Sequence, residues 1–475
     1  MDIINTELLV LGAGPGGYAG AFYAADKGMQ VTLVEQERRL GGVCLNRGCI
    51  PSKAYLHAAG LVKEALESEH RGIAFAKPTI DLNKMRAWKE TILDKLSSGV
   101  GGLAQRRKVS VMRGRGHFED AQTLRVETAT GQKYVKFQKA IIAVGSKPAL
   151  PKAFDLGNPR IMTSDAALEV EDIPPDLLII GGGYIGMELG TVYATFGSRV
   201  VIAEAADSVL AGADPDLIQP VIRNATQMFK ELRVKAKVAS MATVGKQIKV
   251  VMDYNGQKLE ELYDRVLVCV GRSPNGEDLG LENTKVKRDE RGFIEANEHQ
   301  QTGEPHIYAV GDIVGGLMLA HKAAREARIA VEVMLGETSS FDHIIVPAVV
   351  FTNPEVAWCG LMETEALAKG LAVEVVKVPW AVSGRALSFD RTDGLTKLIV
   401  ESATERILGV GIAGLGAGEL ISEGVFAIEM GATAKDLAEC IHPHPTLSET
   451  LMECAEAFYG YATHSPGRKK AQATE

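Results

Sequence analysis

Two glycine-rich turns of one design, 169 residues apart, constrain this chain more than any other feature. The first, Gly12-Ala13-Gly14-Pro15-Gly16-Gly17, follows the apolar run Glu7 to Leu11 and precedes a helix-compatible, alanine-rich segment from Tyr18 to Lys27. A second apolar run, Gln30 to Val34, closes the unit with Glu35 at its carboxyl end. The second turn, Gly181-Gly182-Gly183-Tyr184-Ile185-Gly186, follows Leu177 to Ile180 and leads into the helix-like stretch Met187 to Phe196. The strand-like run Ser198 to Ala203 then ends in Glu204, and in both copies the acid stands 23 residues after the first glycine. Each copy reads as a βαβ unit of dinucleotide-binding type. Gly12 and Gly181 make the tight turn, Gly14 and Gly183 let a pyrophosphate approach the backbone, and Gly17 and Gly186 let helix pack on strand. Glu35 and Glu204 are placed to hold ribose hydroxyls. A carboxylate accepts hydrogen bonds from a free 2′-hydroxyl and repels a 2′-phosphate, so Glu204 favours NAD over NADP, with Arg199 as the residue that opposes this reading.

Repetition at this separation predicts two nucleotide-binding domains in one chain, and a length of 475 residues has room for two to four domains. The expected boundaries are a first domain over 1–150, a second over 151–272, a return to the first over 273–346, and an α+β domain over 347–475. The Pro-rich stretch from Pro148 to Pro175 marks the first boundary. Helices are expected over 53–70 and 81–106, short strands over 109–144, a strand from Val266 to Gly271, a helix near Gly418 to Met430, and a solvated tail over the last dozen residues.

Hydrophobic residues at 46% and charged residues at 24% describe an ordinary folding chain, which excludes disordered, collagenous and coiled-coil classes. A net charge of −8 disfavours nucleic acid and anionic lipid as partners. No apolar stretch approaches the ~20 residues that span a bilayer, and the N-terminus lacks a signal pattern, so a soluble, cytoplasmic protein is expected.

Six cysteines are too few for a disulfide framework, but Cys44 and Cys49 form a close pair in GGVCLNRGCIPSK, just before a helix-like run beginning near Pro51. A thiol at a helix N-terminus has its thiolate stabilised, and such a pair can cycle between disulfide and dithiol. Zinc would need about four ligands, and no second close pair supplies them. An inert structural disulfide stays open as the other reading. Near the C-terminus, HPHPT offers histidines suited to proton exchange with thiols near neutrality. His444 is the candidate base and Glu449, five residues on, its orienting carboxylate.

Taken together, the Gly12 turn, GGVCLNRGCIPSK, AIIAVGS, GGGYIGMELG, YAVGDI and HPHPTLSE resemble, in order and spacing, the pyridine nucleotide-disulfide oxidoreductases along essentially the whole chain. PSK after the second cysteine and the HPHPTLSE ending are similar to the branch that oxidises dihydrolipoamide. The resemblance implies FAD on the first unit, with Lys53, Gly116, Gly145, Asp312 and Ala320 beside Gly12, Gly14, Gly17 and Glu35, and NAD on the second, with Tyr184, Gly271 and Arg272 beside Gly181, Gly183, Gly186 and Glu204. It makes Cys49 the flavin-facing sulfur and Cys44 the outer sulfur that exchanges with substrate, and pairs Lys53 with Glu188. It further implies a homodimer whose C-terminal domain brings His444 to the other subunit's cysteines, and, as partners, the lipoyl domains and acyltransferase of 2-oxo acid dehydrogenase complexes or the glycine cleavage carrier. Two residues depart from the pattern: Tyr184 is the residue type of glutathione reductases, and Pro443 stands where alanine is usual. Glutathione-type and mercuric reductases are the enzymic alternatives, and a scaffold or surface-binding flavoprotein the non-catalytic one. Mercuric reductases carry a C-terminal cysteine pair, whereas this tail has Cys454 alone.

Overall fold

The computed structural model describes residues 3–342 and 344–465. The expected tail therefore falls largely outside the described residues, as do Met1 and Asp2.

The strand Ile3–Leu11 shows why the first glycine unit forms a core. Successive side chains of a strand point to opposite faces. Leu8 and Val10 enter one cluster with Val31, Leu33, Ala21 and Ala327, while Leu9 and Leu11 enter a second with Val34, Phe118, Val135 and Ile142. A strand buried on both faces belongs inside a parallel sheet, and the observed order agrees: Ser110–Arg113, Val31–Glu35, Ile3–Leu11 and Gly131–Ile142 run parallel, and Ile307–Ala309 also pairs with Gly131–Ile142. Thr123–Thr128 and Arg115–Asp120 extend the sheet antiparallel. The helix Pro15–Asp26 starts with proline at its first turn, where a missing N–H costs nothing. This compact unit comprises Met1–Ala58, Ala65–Asp172 and Val268–His343.

The other unit comprises Ala59–Glu64, Ile173–Leu267 and Ile344–Glu475. It repeats the theme, with Glu231–Arg233, Arg199–Ala203 and Asp176–Ile180 as parallel strands and Tyr184–Phe196 as the helix after the glycine turn. The same unit contains an antiparallel sheet in the order Ala348–Val350, Glu355–Gly360, Ile407–Gly414, Leu395–Glu401, Val373–Pro379. Trp380 is fully buried at its heart, and Gly394 and Gly414 leave the room its indole occupies, since a Cβ on either would overlap the ring. The helices Ala417–Glu429 and Glu449–Tyr459 pack on this core.

Most elements fall within a few residues of expectation. The expected strand from Val266 to Gly271 spans Arg265–Val268, and Gly271, beyond its end, takes a φ of +134° that extended strand geometry does not accommodate. The helix expected near Pro51 begins two residues earlier, at Cys49, with Gly48 outside it.

Candidate active site

Both glycine turns solve the same problem with the same contacts. Gly12 and Gly181 have φ of +98° and +107°, a left-handed region that favours glycine. A Cβ at Gly17 or Gly186 would overlap the carbonyl oxygen of Gly12 or Gly181, so only glycine lets the helix close on the strand. At the middle glycines the space is open: a Cβ on Gly183 would meet nothing within 4 Å, and one on Gly14 only Gly42 Cα at 3.8 Å. Neither following helix has a side-chain cap, so its first N–H groups point at that open space. The acids are equally alike. Glu35 accepts from Ala13 N at 2.7 Å and Glu37 N at 2.8 Å, while Glu204 accepts from Gly182 N at 2.6 Å and Ala206 N at 2.7 Å. Each carboxylate is fixed beside its glycine turn and keeps lone pairs for sugar hydroxyls. A backbone cradle, an uncapped helix start and a fixed carboxylate are what a dinucleotide requires, so FAD on the first unit and NAD on the second fit the residues present.

The cysteine pair lies in the unit of the first turn. Cys44 sits in the short helix Gly42–Arg47 and Cys49 is the first residue of the helix Cys49–Glu67. Their Sγ atoms are 2.7 Å apart and both are free thiols. The Cys49 hydrogen bond and then burial push the Cys44 thiol up, while the Lys53 ammonium, one helical turn beyond Cys49, pulls it down. Tyr18, on the helix after the Gly12 turn, faces the pair: burial first, then Cys44 and Cys49, raise its phenol. No spacing rule in the sequence announces Tyr18. The backbone itself brings turn and pair together, since a Cβ on Gly42, at φ of +61°, would lie 2.6 Å from Gly14 Cα.

Asp312 lies in the 3-10 turn Gly311–Val314 and accepts from Ser146 Oγ. Arg272 Nε donates to the same hydroxyl at 2.7 Å and lies 3.6 Å from the Asp312 carboxylate. Gly145 has φ of +68°, and its carbonyl accepts from Asn275 N at 3.0 Å. Thus Gly271 and Arg272, expected with NAD, sit in the same unit as Gly145 and Asp312, on the segment that pairs Arg272–Pro274 with Ser146–Pro148. Glu326, which sequence reasoning passed over, holds the turn from behind: its buried carboxylate accepts from Gly311 N at 2.7 Å and pairs with Lys322. Ala320 opens the helix Ala320–Met334 that carries both. Gly116 is a packing position, where a Cβ would lie 2.7 Å from Leu11 and 2.9 Å from Leu124.

In the other unit, His444 Nδ1 is 2.8 Å from Glu449 Oε1, and Thr446 N donates to Glu449 Oε2 at 2.7 Å. Burial pushes the Glu449 carboxyl up, but the Thr446 N–H and His444 outweigh it and hold the group below the usual range. Glu188 is buried and accepts from Phe351 N at 3.1 Å. Tyr184 is the first residue of its helix and is exposed. Cys454 is buried, its thiol pushed up to about 12 by that burial, which leaves it no role as an outward-facing thiol.

The chain is similar to known proteins over nearly all its length. Residues 6–327 match the pyridine nucleotide-disulphide oxidoreductase family and residues 346–455 its dimerisation domain. The dihydrolipoyl dehydrogenases of Vibrio parahaemolyticus and Haemophilus influenzae are each 44% identical over 467 residues, covering 98% of this chain and 98% of the relative. That of Staphylococcus aureus is 43% identical over 462 residues, covering 97% and 98%. Among solved structures, LpdA from Mycobacterium tuberculosis superposes with a TM-score of 0.88 at 28% identity, covering 95% of this chain and 99% of that one. The HOCl-induced flavoprotein disulfide reductase RclA from Escherichia coli gives 0.85 at 27% identity with the same coverage. Two nucleotide cradles, a cysteine pair at a helix start and a C-terminal histidine-glutamate dyad agree with these matches, and the chain belongs to the pyridine nucleotide-disulphide oxidoreductase family.

Proposed function

We propose that this chain is an NAD-dependent dihydrolipoyl dehydrogenase that oxidises protein-bound dihydrolipoamide through the Cys44–Cys49 pair. The observation that carries the reading is the placing of two thiols 2.7 Å apart at a helix start, against the first glycine turn. Full-length similarity to curated dihydrolipoyl dehydrogenases supports it.

In the oxidised enzyme Cys44 and Cys49 share a disulfide. His444, with Nδ1 held by Glu449, takes a proton from a substrate thiol at its other nitrogen. The resulting thiolate attacks Cys44 Sγ, the Cys44–Cys49 bond breaks, and Cys49 leaves as a thiolate facing the Lys53 side of the site. The second substrate thiol then loses its proton to water, its sulfur attacks the first and expels Cys44, and Cys44 takes the proton held on His444, so the substrate leaves as a cyclic disulfide two electrons poorer and the enzyme pair holds those electrons. When bound, FAD would supply the two-electron redox chemistry that links the dithiol to NAD and returns the pair to the disulfide. Gly12, Gly14, Gly17, Glu35, Gly145 and Asp312 would hold FAD, and Gly181, Gly183, Gly186 and Glu204 would hold NAD. Glu188 and Lys53 belong to the flavin side in this reading, and Tyr184 to the nicotinamide side.

The domains follow: residues 1–150 and 273–346 for FAD, 151–272 for NAD, 347–475 for dimerisation. In the homodimer His444 serves the cysteines of the second copy. The expected partners are lipoyl domains and the acyltransferase of a 2-oxo acid dehydrogenase complex, and the expected compartment is the cytoplasm. No helix among the described residues is long and apolar enough to cross a membrane.

Steady-state oxidation of dihydrolipoamide with NAD and with NADP, run beside reduction of glutathione disulfide, tests this reading. Turnover with dihydrolipoamide and NAD is expected. A preference for NADP overturns the Glu204 argument, and a preference for glutathione overturns the choice of substrate, for which Tyr184 is the residue to suspect.

A further inference from the structure

The HPHPT segment carries two histidine-glutamate pairs, and they are chemically unlike. His444 uses one nitrogen on Glu449, and 74% of its side chain is exposed. His442 is only 6% exposed and has both nitrogens engaged: Nδ1 lies 2.9 Å from the Cys440 carbonyl oxygen, and Nε2 lies 2.6 Å from Glu423 Oε1. A carbonyl and a carboxylate are both acceptors, so a ring caught between them satisfies both only by donating from both nitrogens. Such a ring has no lone pair with which to take a proton. It acts as a strut. It ties the turn leading into His444 to the helix Ala417–Glu429 through Glu423, while Thr446 Oγ1 closes the turn on the Pro443 carbonyl at 2.7 Å.

We propose that His442 is a positioning residue, held doubly protonated between Cys440 and Glu423, that fixes where His444 presents its free nitrogen. The inference rests on the dihydrolipoamide-oxidising role argued above. Pro443, between the two rings, has its own φ fixed by its ring, which narrows the backbone conformations open to this turn. His442 and Glu423 are 19 residues apart, and nothing in the HPHPT motif names the glutamate.

The test uses the FAD-loaded enzyme and its His442→Gln, His442→Phe and Glu423→Gln variants. Two reactions are compared: dihydrolipoamide oxidation by NAD, and NADH-driven reduction of ferricyanide, which bypasses the cysteines and His444. For His442→Phe, kcat for dihydrolipoamide is expected to fall at least about tenfold, as misplacement of a reacting group does, with the KM for NAD and the ferricyanide rate unchanged. His442→Gln, which can still donate to one of the two acceptors, is expected to recover part of that loss. In ¹⁵N-histidine spectra of the wild-type enzyme at neutral pH, one buried ring absent from His442→Gln is expected to carry protons on both nitrogens. If His442→Phe keeps wild-type kcat, or if that ring has an unprotonated nitrogen, the inference is wrong. A variant that loses both reactions together shows a merely structural residue, which also overturns it. A wild-type enzyme inactive on dihydrolipoamide would instead overturn the function proposed above.

Discussion

Glu449 accepts His444 Nδ1 at 2.8 Å while its second oxygen accepts Thr446 N at 2.7 Å. The carboxylate therefore fixes both the ring and the backbone that carries it. His444→Gln should lower dihydrolipoamide turnover by about 10²–10⁴-fold, the range set by loss of a general base. Glu449→Gln should lower it less, since the amide oxygen still accepts from the ring. Steady-state kinetics on both variants checks this, and equal, negligible losses would remove the dyad from the mechanism.

Glu204 is pinned by two backbone N–H groups, so its carboxylate cannot swing away from a 2′-phosphate. Replacing it by alanine removes both the acceptor for the ribose and the repulsion of NADP. The KM for NAD should rise about tenfold or more, given 1.5–3 kcal/mol for a hydrogen bond to a charged group, and the ratio of NAD to NADP activity should fall. Unchanged cofactor preference would place selection elsewhere.

Lys397 is fully buried, with Nζ 2.8 Å from Asp214, 3.0 Å from Asp216 and 2.5 Å from Glu363, while Lys377 reaches Asp216 at 2.6 Å. These three carboxylates have a spacing that a metal ion could use, but the Lys397 ammonium already fills the centre. Lys397→Met should destabilise the protein by about 3–5 kcal/mol, because it strands the buried Asp214 carboxylate. Thermal unfolding of the variant checks this, and added magnesium or calcium should not affect the melting of the wild type.

His464 pairs with Glu453 through its ring, and its backbone N–H donates to the same carboxylate at 3.3 Å. The hydrogen bond to Glu453 raises the imidazole above its ordinary 6.5. A raised histidine stabilises the folded state in full below the ordinary value, and the contribution fades as pH climbs through the raised one. The stability difference between wild type and His464→Gln should therefore be largest near pH 6 and shrink toward pH 9. A difference that grows with pH would contradict the pairing.

What the sequence made legible was what is local in the chain. Gly12 and Glu35, or Cys44 and Cys49, lie within one supersecondary unit, so spacing and residue type already reflect their geometry. The contacts that escaped notice join distant positions. Asp214 and Lys397 are 183 residues apart, and Ser146, Arg272 and Asp312 meet only when two paired strands and the 3-10 turn Gly311–Val314 come together. Tyr18 was hidden for another reason: it reads as an ordinary core aromatic on an apolar helix, and only the fold turns it toward the cysteines. Helix starts were harder than helix bodies, since Gly48 and Cys49 give no capping side chain to read.

Alkylation mapped by mass spectrometry tests the redox role of Cys44 and Cys49 most directly. In the oxidised, FAD-loaded protein both should resist iodoacetamide, and after one equivalent of dihydrolipoamide, without oxygen, both should be labelled, with the lipoamide product appearing in step. Labelling of either cysteine before the dithiol is added, or none after it, would contradict the account.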